Sequence, residues 1–182
     1  MARRAASELH ALHNWSALFA LVVGLGSSAL SVLSDSWALV PSRQRATLHE
    51  LEMLCQPIAN FRTYRLALEE TLQAGTFCIP YMAIVLKDFE AISEGNPTSI
   101  NSRGWLNFDK MQMLADAMLS VKRLQSQTCP IKPVDKKHMA MATNLFTRTE
   151  QEIWDQSGIV KAEEVELAQS QKKSLRHIKI LH

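Results

Sequence analysis

The chain has 182 residues, 47% of them hydrophobic and 21% charged, which is enough apolar material for one packed domain and excludes a disordered polymer. Twenty basic against eighteen acidic residues leave a formal charge of +2, so charge gives no case for nucleic-acid binding. The cysteines, Cys55, Cys78 and Cys129, are odd in number and far apart. That argues against a disulfide framework or zinc finger and fits a reducing, intracellular compartment.

The N-terminus comes first. Asn14 to Ser34 carries no charge, and Ala17 to Leu25 is an apolar run behind Arg3 and Arg4. This is the outline of a signal peptide, with small residues Ser27, Ser28 and Ala29 where cleavage would fall. Against it, the leader is long and carries Glu8, His10 and His13. Gly24, Gly26, Ser27, Ser28 and Ser31 also dilute the run, whereas a membrane span needs about 20 predominantly apolar residues. A buried core helix is the expected reading, and a secreted helical protein the alternative. The sequon Asn14-Trp15-Ser16 has meaning only in that alternative.

Nearly every segment that follows reads as helix. From Leu9 to Leu33, Leu12, Trp15, Leu18, Phe19, Val22 and Leu25 recur at three and four, with a Gly-Ser break at Gly24 to Ser28. Pro41-Ser42 looks like a helix start with Ser42 as cap. Leu48, Leu51, Leu54 and Cys55 share a face of that helix, and Pro57 ends it. Asn60 is positioned to cap the next helix, through Phe61, Tyr64, Leu68 and Leu72 to Gly75. Pro80 suits a first helical position. Met82, Val85, Leu86, Phe89 and Ile92 then lie opposite Lys87, Asp88, Glu90 and Glu94, and Gly95-Asn96-Pro97 is a stop.

A polar loop, 98–104, leads to Asn107 as the next cap, with Asp109 in the first turn. Phe108, Met111, Leu114, Ala115, Met118, Val121 and Leu124 fall on one side of the helix. The expectation is an all-α fold with a helical hairpin formed by about residues 80–95 and 107–125. A proline-containing break over Cys129 to Asp135 precedes two weaker helices near 136–155 and 159–182. The domain is expected over 1–158, with 159–182 a charged helix or tail.

Bond-making chemistry finds little support. Gly24-Leu25-Gly26-Ser27-Ser28-Ala29 matches GxGxxA, and Glu50 or Glu52 stands where the ribose acid would be, but no parallel strands follow. His49-Glu50 opens HExxH, yet position 53 is Met. His10 and His13 lack a third ligand, and Cys78 reads as a small buried hydrophobe. No metal or cofactor is expected, and no nucleophile–base set is placed by a local signature. The methionines (Met82, Met111, Met113, Met118, Met139 and Met141) are expected in the core rather than along a groove. On physics alone Lys87, Asp88, Glu90 and Glu94 form a solvated face.

Several strings together resemble one family. Cys78-Ile79-Pro80-Tyr81-Met82, Leu86-Lys87-Asp88 and Ser93-Glu94-Gly95-Asn96-Pro97 resemble the catalytic domain of Ras-family guanine nucleotide exchange factors. Leu106-Asn107-Phe108-Asp109-Lys110 is similar to its "INF-K" helix start, and Asn14-Trp15-Ser16-Ala17-Leu18 with Gly24 to Ser28 to its "NFNAL…GL-S" helix. Ser36-Trp37 and Asn60-Phe61-Arg62-Thr63-Tyr64-Arg65-Leu66-Ala67-Leu68 match its "TW" and "N(F/Y)–YR-AL". The motifs run in order over about residues 9–128.

The resemblance implies a domain whose protruding hairpin wedges into a Ras- or Rap-type small GTPase and displaces switch 1. No covalent catalysis is involved. It implies that Glu94 is the residue that disturbs the magnesium and phosphate site, with Lys87, Asp88 and Glu90 on switch 1. His13, Asn14 and Ser16 would lie near switch 2, and Phe89, Ile92, Asn107 and Phe108 would support the hairpin. It further implies a cytoplasmic protein, drawn to membranes through its GTPase.

There are departures. His13 and Trp15-Ser16 differ from the family pattern, and Lys87 stands where many members have Thr. The family's domain begins before residue 1, so the chain is expected to lack helices that carry part of the switch 2 surface. The faces they leave would be open to other chains. A non-catalytic module that keeps the fold without exchange is the alternative function.

Overall fold

The computed structural model describes residues 2–100, 104–130, 135–143 and 148–180. The expected loop at 98–104 and the break at 129–135 therefore lie partly outside the described residues, as do 144–147 and 181–182 of the expected last helices. Among the described residues the fold is all-α, with ten helices and, beyond two isolated bridges, no β-structure. In chain order they are α1 (Ala2–Ala11), α2 (Trp15–Leu25), α3 (Ser28–Ser31), α4 (Ser34–Ala38) and α5 (Ser42–Cys55). They continue with α6 (Arg62–Gln73), α7 (Met82–Gly95), α8 (Phe108–Gln125), α9 (Lys136–Thr143) and α10 (Glu150–Ile180). No helix among the described residues is long and apolar enough to cross a membrane.

Several boundaries differ from the sequence reading. The apolar period runs unbroken through Leu12 and Trp15, yet the chain turns there, with His13 at φ 50°. Asn14 makes the corner: its N–H donates to Leu9 O at 2.9 Å, and its Oδ1 accepts the Ala17 N–H at 3.1 Å, capping α2. Ser42 is the first residue of α5 rather than its cap. The Pro41 carbonyl receives the N–H groups of Gln44 and Arg45 instead. Asn60 does not cap α6 either, because Ala59, Asn60 and Phe61 form a left-handed turn (φ 48°, 57° and 59°).

Pro80 lies outside α7, in an extended segment held to the start of α2. At the end of α6, Gly75 takes φ 64°, the left-handed conformation in which a side chain is strained. The break expected between helices near 136–155 and 159–182 is also absent. α10 runs through Gly158, whose helical cost of about 1 kcal/mol is tolerable in so long a helix.

The chain forms two compact units. The first comprises Met1–Val22 and Thr47–Ile131. Its core is built on Trp15, Leu18 and Tyr64, all fully buried, with Phe19, Val22, Leu51, Leu54, Ile84 and Leu124 around them. Phe19 stacks on Tyr81 at 4.2 Å and meets Tyr64 edge-on at 5.2 Å. Each such side chain contributes about 1.5–3 kcal/mol on burial, so this cluster is what seats α7. The methionines contribute less than expected. Met82, Met113, Met118 and Met139 are all more than 40% exposed, because the buried positions of α7 and α8 go to Ile84 and Leu124. Met141 lies outside the residues whose side chains are described.

The second unit comprises Val23–Ala46 and Lys132–His182. Here GxGxxA is the turn into α3, with Ala29 buried. The Glu164 carboxylate accepts both the N–H and the hydroxyl of Ser36, at 2.8 and 2.5 Å. Those bonds, the hydroxyl first, hold its pKa below the usual carboxylate range. Lys161 bridges Glu164 and Ser34, and the Trp37 indole N–H donates to Leu30 O at 2.8 Å.

Candidate functional site

Helices α7 and α8 form the expected hairpin within the first unit. Its base is fixed to α2 and α6. Ile79 N–H donates to His13 O at 3.0 Å, and Ile79 O accepts from Trp15 and Ser16 N–H at 2.9 and 3.3 Å. The Tyr64 hydroxyl accepts the Tyr81 N–H at 2.9 Å, and burial pushes its pKa up to about 12. His13, Asn14 and Ser16 are thus half-buried at this anchorage. The rings of His10 and His13 flank Trp15 at 5.5 and 5.6 Å. Burial first, and then His13, lower the pKa of His10.

Midway along α7, Arg65 of α6 grips Asp88 through both guanidinium ends, Nη1 to Oδ2 and Nη2 to Oδ1, each at 2.7 Å. Its Nε donates to Asn60 O at 2.7 Å, so the left-handed turn before α6 serves to place the guanidinium. The Asp88 hydrogen bonds raise the pKa of Arg65. A cleft of about 220 Å³ lies alongside, between Leu68, Ile84, Val85 and Val121. The sequence reading grouped Asp88 with Lys87, Glu90 and Glu94 on one open face. The structure instead turns Asp88 onto α6 and leaves the other three exposed, at spacings of three and four. Phe89 and Ile92 are half-buried.

The tip is closed by two residues of the first turn of α8. Asn107 caps the helix, its Oδ1 accepting the Lys110 N–H at 3.2 Å, while its Nδ2 donates to Pro97 O at 2.9 Å. Lys110 is only 6% exposed. Its Nζ donates to Ser93 O at 2.7 Å, Asn96 O at 2.8 Å and Thr98 Oγ1 at 3.2 Å. An ammonium has three N–H donors, so all are used. The cation also lies where carbonyls accumulate partial negative charge, at the C-terminus of α7. Phe108, expected among the supports, is 71% exposed, and Lys110 is the buried residue of that turn instead.

Glu94 occupies the last turn of α7 and is exposed, with no ion-pair partner among the described residues. It lies about 18 Å along the helix from Met82. The expected site residues therefore divide between the hairpin's tip and face (Glu94, Lys87, Glu90) and its base (His13, Asn14, Ser16). Two residues that matter to this geometry, Arg65 and Lys110, entered the sequence reading only as letters of motifs. A lysine in a helix's first turn, where the dipole disfavours a cation, was the available signal for Lys110. Among the described residues no group of three or more His, Cys, Asp or Glu side chains could hold a metal ion.

A family model, the RasGEF domain, matches residues 3–112, more than half of the chain. The chain belongs to the RasGEF family. Its relatives include a Rap guanine nucleotide exchange factor 3 from Rattus norvegicus, 34% identical over 81% of this chain. A Ras guanine nucleotide exchange factor P from Dictyostelium discoideum is 29% identical over 72%, and a Rap guanine nucleotide exchange factor 5 from Homo sapiens 32% identical over 66%. The chain spans 16%, 8% and 20% of the lengths of these relatives.

Proposed function

We propose that this RasGEF domain promotes GDP release from a Ras- or Rap-type small GTPase by inserting the α7–α8 hairpin beside switch 1. The observation that carries the reading is the hairpin tip, closed by Asn107 and Lys110, with the Glu94 carboxylate exposed in its last helical turn. A GTPase holds its nucleotide largely through magnesium and phosphate contacts. A fixed carboxylate brought to that place repels phosphate and competes for the metal. Each ~1.4 kcal/mol taken from the release barrier is tenfold in rate.

In this reading Glu94 acts on the phosphate and metal site, and Lys87 and Glu90 meet switch 1. Asp88 serves through Arg65, holding α7 in place. His13, Asn14 and Ser16 lie beside a second contact with switch 2, and Phe89, Ile92 and Asn107 brace the hairpin. The protein is cytoplasmic and reaches membranes through its GTPase.

The test is release of a fluorescent GDP analogue from purified Ras and Rap, with and without the chain. Acceleration is expected, and the faster substrate identifies the pathway. A folded chain that binds either GTPase without changing release would replace this reading with that of a non-catalytic module.

A further inference from the structure

The α7 C-terminus ends in a feature that neither the fold nor the general wedge mechanism requires: a buried lysine from the other arm of the hairpin. We propose that Lys110 is the positioning residue that sets the exchange rate, by fixing the backbone on both sides of Glu94. The proposal rests on the exchange reading above.

The bonds are specific to this task. Ser93 O belongs to the peptide that leads into Glu94, and Asn96 O follows Glu94 by two residues. Both are held by one ammonium at 2.7 and 2.8 Å. Thr98 Oγ1 at 3.2 Å extends the grip into the loop. Asn96 adds a bond of its own, Nδ2 to Ile92 O at 3.1 Å, so the last turn of α7 is secured from inside and outside the helix. Asn107 N–H to Thr98 O at 2.9 Å and Nδ2 to Pro97 O at 2.9 Å then tie the same loop to the start of α8.

A helix end with its last carbonyls unmet would fray in its final turn. Glu94 is in that turn. Fraying would leave the carboxylate present but unplaced, and a charge acts on a metal or phosphate only at a defined distance. Lys110 removes that freedom before the GTPase arrives, so ordering the tip costs nothing on binding. Such placement affects the rate at saturation more than the encounter, because Lys110 is buried and offers no surface of its own to a partner.

The experiment compares the full chain, K110M and T98V in fluorescent-GDP release from Ras or Rap over a range of chain concentrations. Hydrogen exchange of the amides over 93–107 is measured on the same proteins. K110M keeps the length and apolar stem but removes all three donors. T98V removes one acceptor at an exposed position and leaves the core untouched. The expected result for K110M is a saturating release rate lower by about ten- to a hundredfold, the scale of misplacement by about an ångström. The half-saturating concentration should stay within about twofold, and exchange at the tip should accelerate while α2 and α6 keep their protection.

T98V should shift rate and tip protection in the same direction by a smaller factor, and it decides the matter if K110M does not fold. An unchanged saturating rate in a folded variant overturns the positioning role. So does a loss confined to half-saturation, which would mean that Lys110 serves binding. If the wild-type chain itself gives no acceleration, the exchange reading fails and this proposal with it. Hydrogen exchange in K110M would still separate that case from a clamp that never existed.

Discussion

Arg65 and Asp88, 23 residues apart, meet in a two-pronged ion pair that fastens the outer arm of the hairpin to α6. Both side chains are about one-third exposed, at 34% and 33%, so the pair cannot be credited with the energy of a buried one. Its geometry puts it at the upper end for surface pairs. R65A and D88A should each lower stability by about 1 kcal/mol, and a double-mutant cycle should return a coupling of about 0.5–1 kcal/mol. Urea melts of the single and double variants measure it. A coupling near zero would mean that hydrophobic seating by Ile84 and Tyr81 alone sets the hairpin's angle.

The corner at Asn14 is the second point where one side chain holds two elements. Its Oδ1 caps α2 while its neighbours' backbone receives Ile79. N14A should cost about 1 kcal/mol, the usual worth of an N-cap. That corresponds to a drop in Tm of about 2–4 °C at this chain length. N14S and N14D keep an acceptor and should recover most of it. Equal losses in all three variants would show that the cap is incidental.

How much of this could be read from residues alone differs by element. The hairpin was legible, because α7 and α8 carry apolar residues at helical spacing and are punctuated by Gly95-Asn96-Pro97 and Asn107. The turn at His13-Asn14 was not, since Leu12 and Trp15 keep the period across it and only the backbone reverses. Glu94 was placed correctly at the end of α7, but its surroundings were hidden. Whether a lysine is buried depends on acceptors 12 to 17 residues away, here the carbonyls of Ser93 and Asn96 and the Thr98 hydroxyl. No local pattern announces such acceptors. For the same reason the sequence makes Asp88 one of four equivalent charges, whereas its partner Arg65 lies 23 residues away.

Alkaline pH should act on the buried core. Burial pushes Cys55 from 9.0 up to about 11 and Tyr64 from 10.0 up to about 12. Both groups are neutral when protonated, so the folded state prefers the protonated form more than the unfolded chain does. Their contribution is intact below pH 9 and is lost as the pH rises through the folded values, about 11 and 12. Stability should therefore fall steeply between about pH 9 and 12. Ultraviolet titration should show Tyr64 ionising late and together with unfolding. At neutral pH a thiol reagent should label exposed Cys129 rapidly and buried Cys55 and Cys78 slowly.

Glu94 offers the cleanest separation of function from fold. It is exposed, and no core contact depends on it. E94Q removes the charge and keeps the volume, so Tm should change by less than about 1 °C, in line with surface substitutions worth under about 0.5 kcal/mol. Exchange should respond differently. Two unit charges at 4 Å interact by about 4 kcal/mol at an effective dielectric of 20, and by about 1 kcal/mol in bulk water. The loss should therefore lie between about fivefold and a thousandfold, larger if the hairpin excludes water from the phosphate site. Raising the salt should shrink the difference between wild type and E94Q if the site stays wet. E94D, one methylene shorter, separates charge from placement: recovery of the wild-type rate would mean that charge near the site suffices. A rate close to that of E94Q would mean that the carboxylate must stand at a defined distance from the ion it displaces.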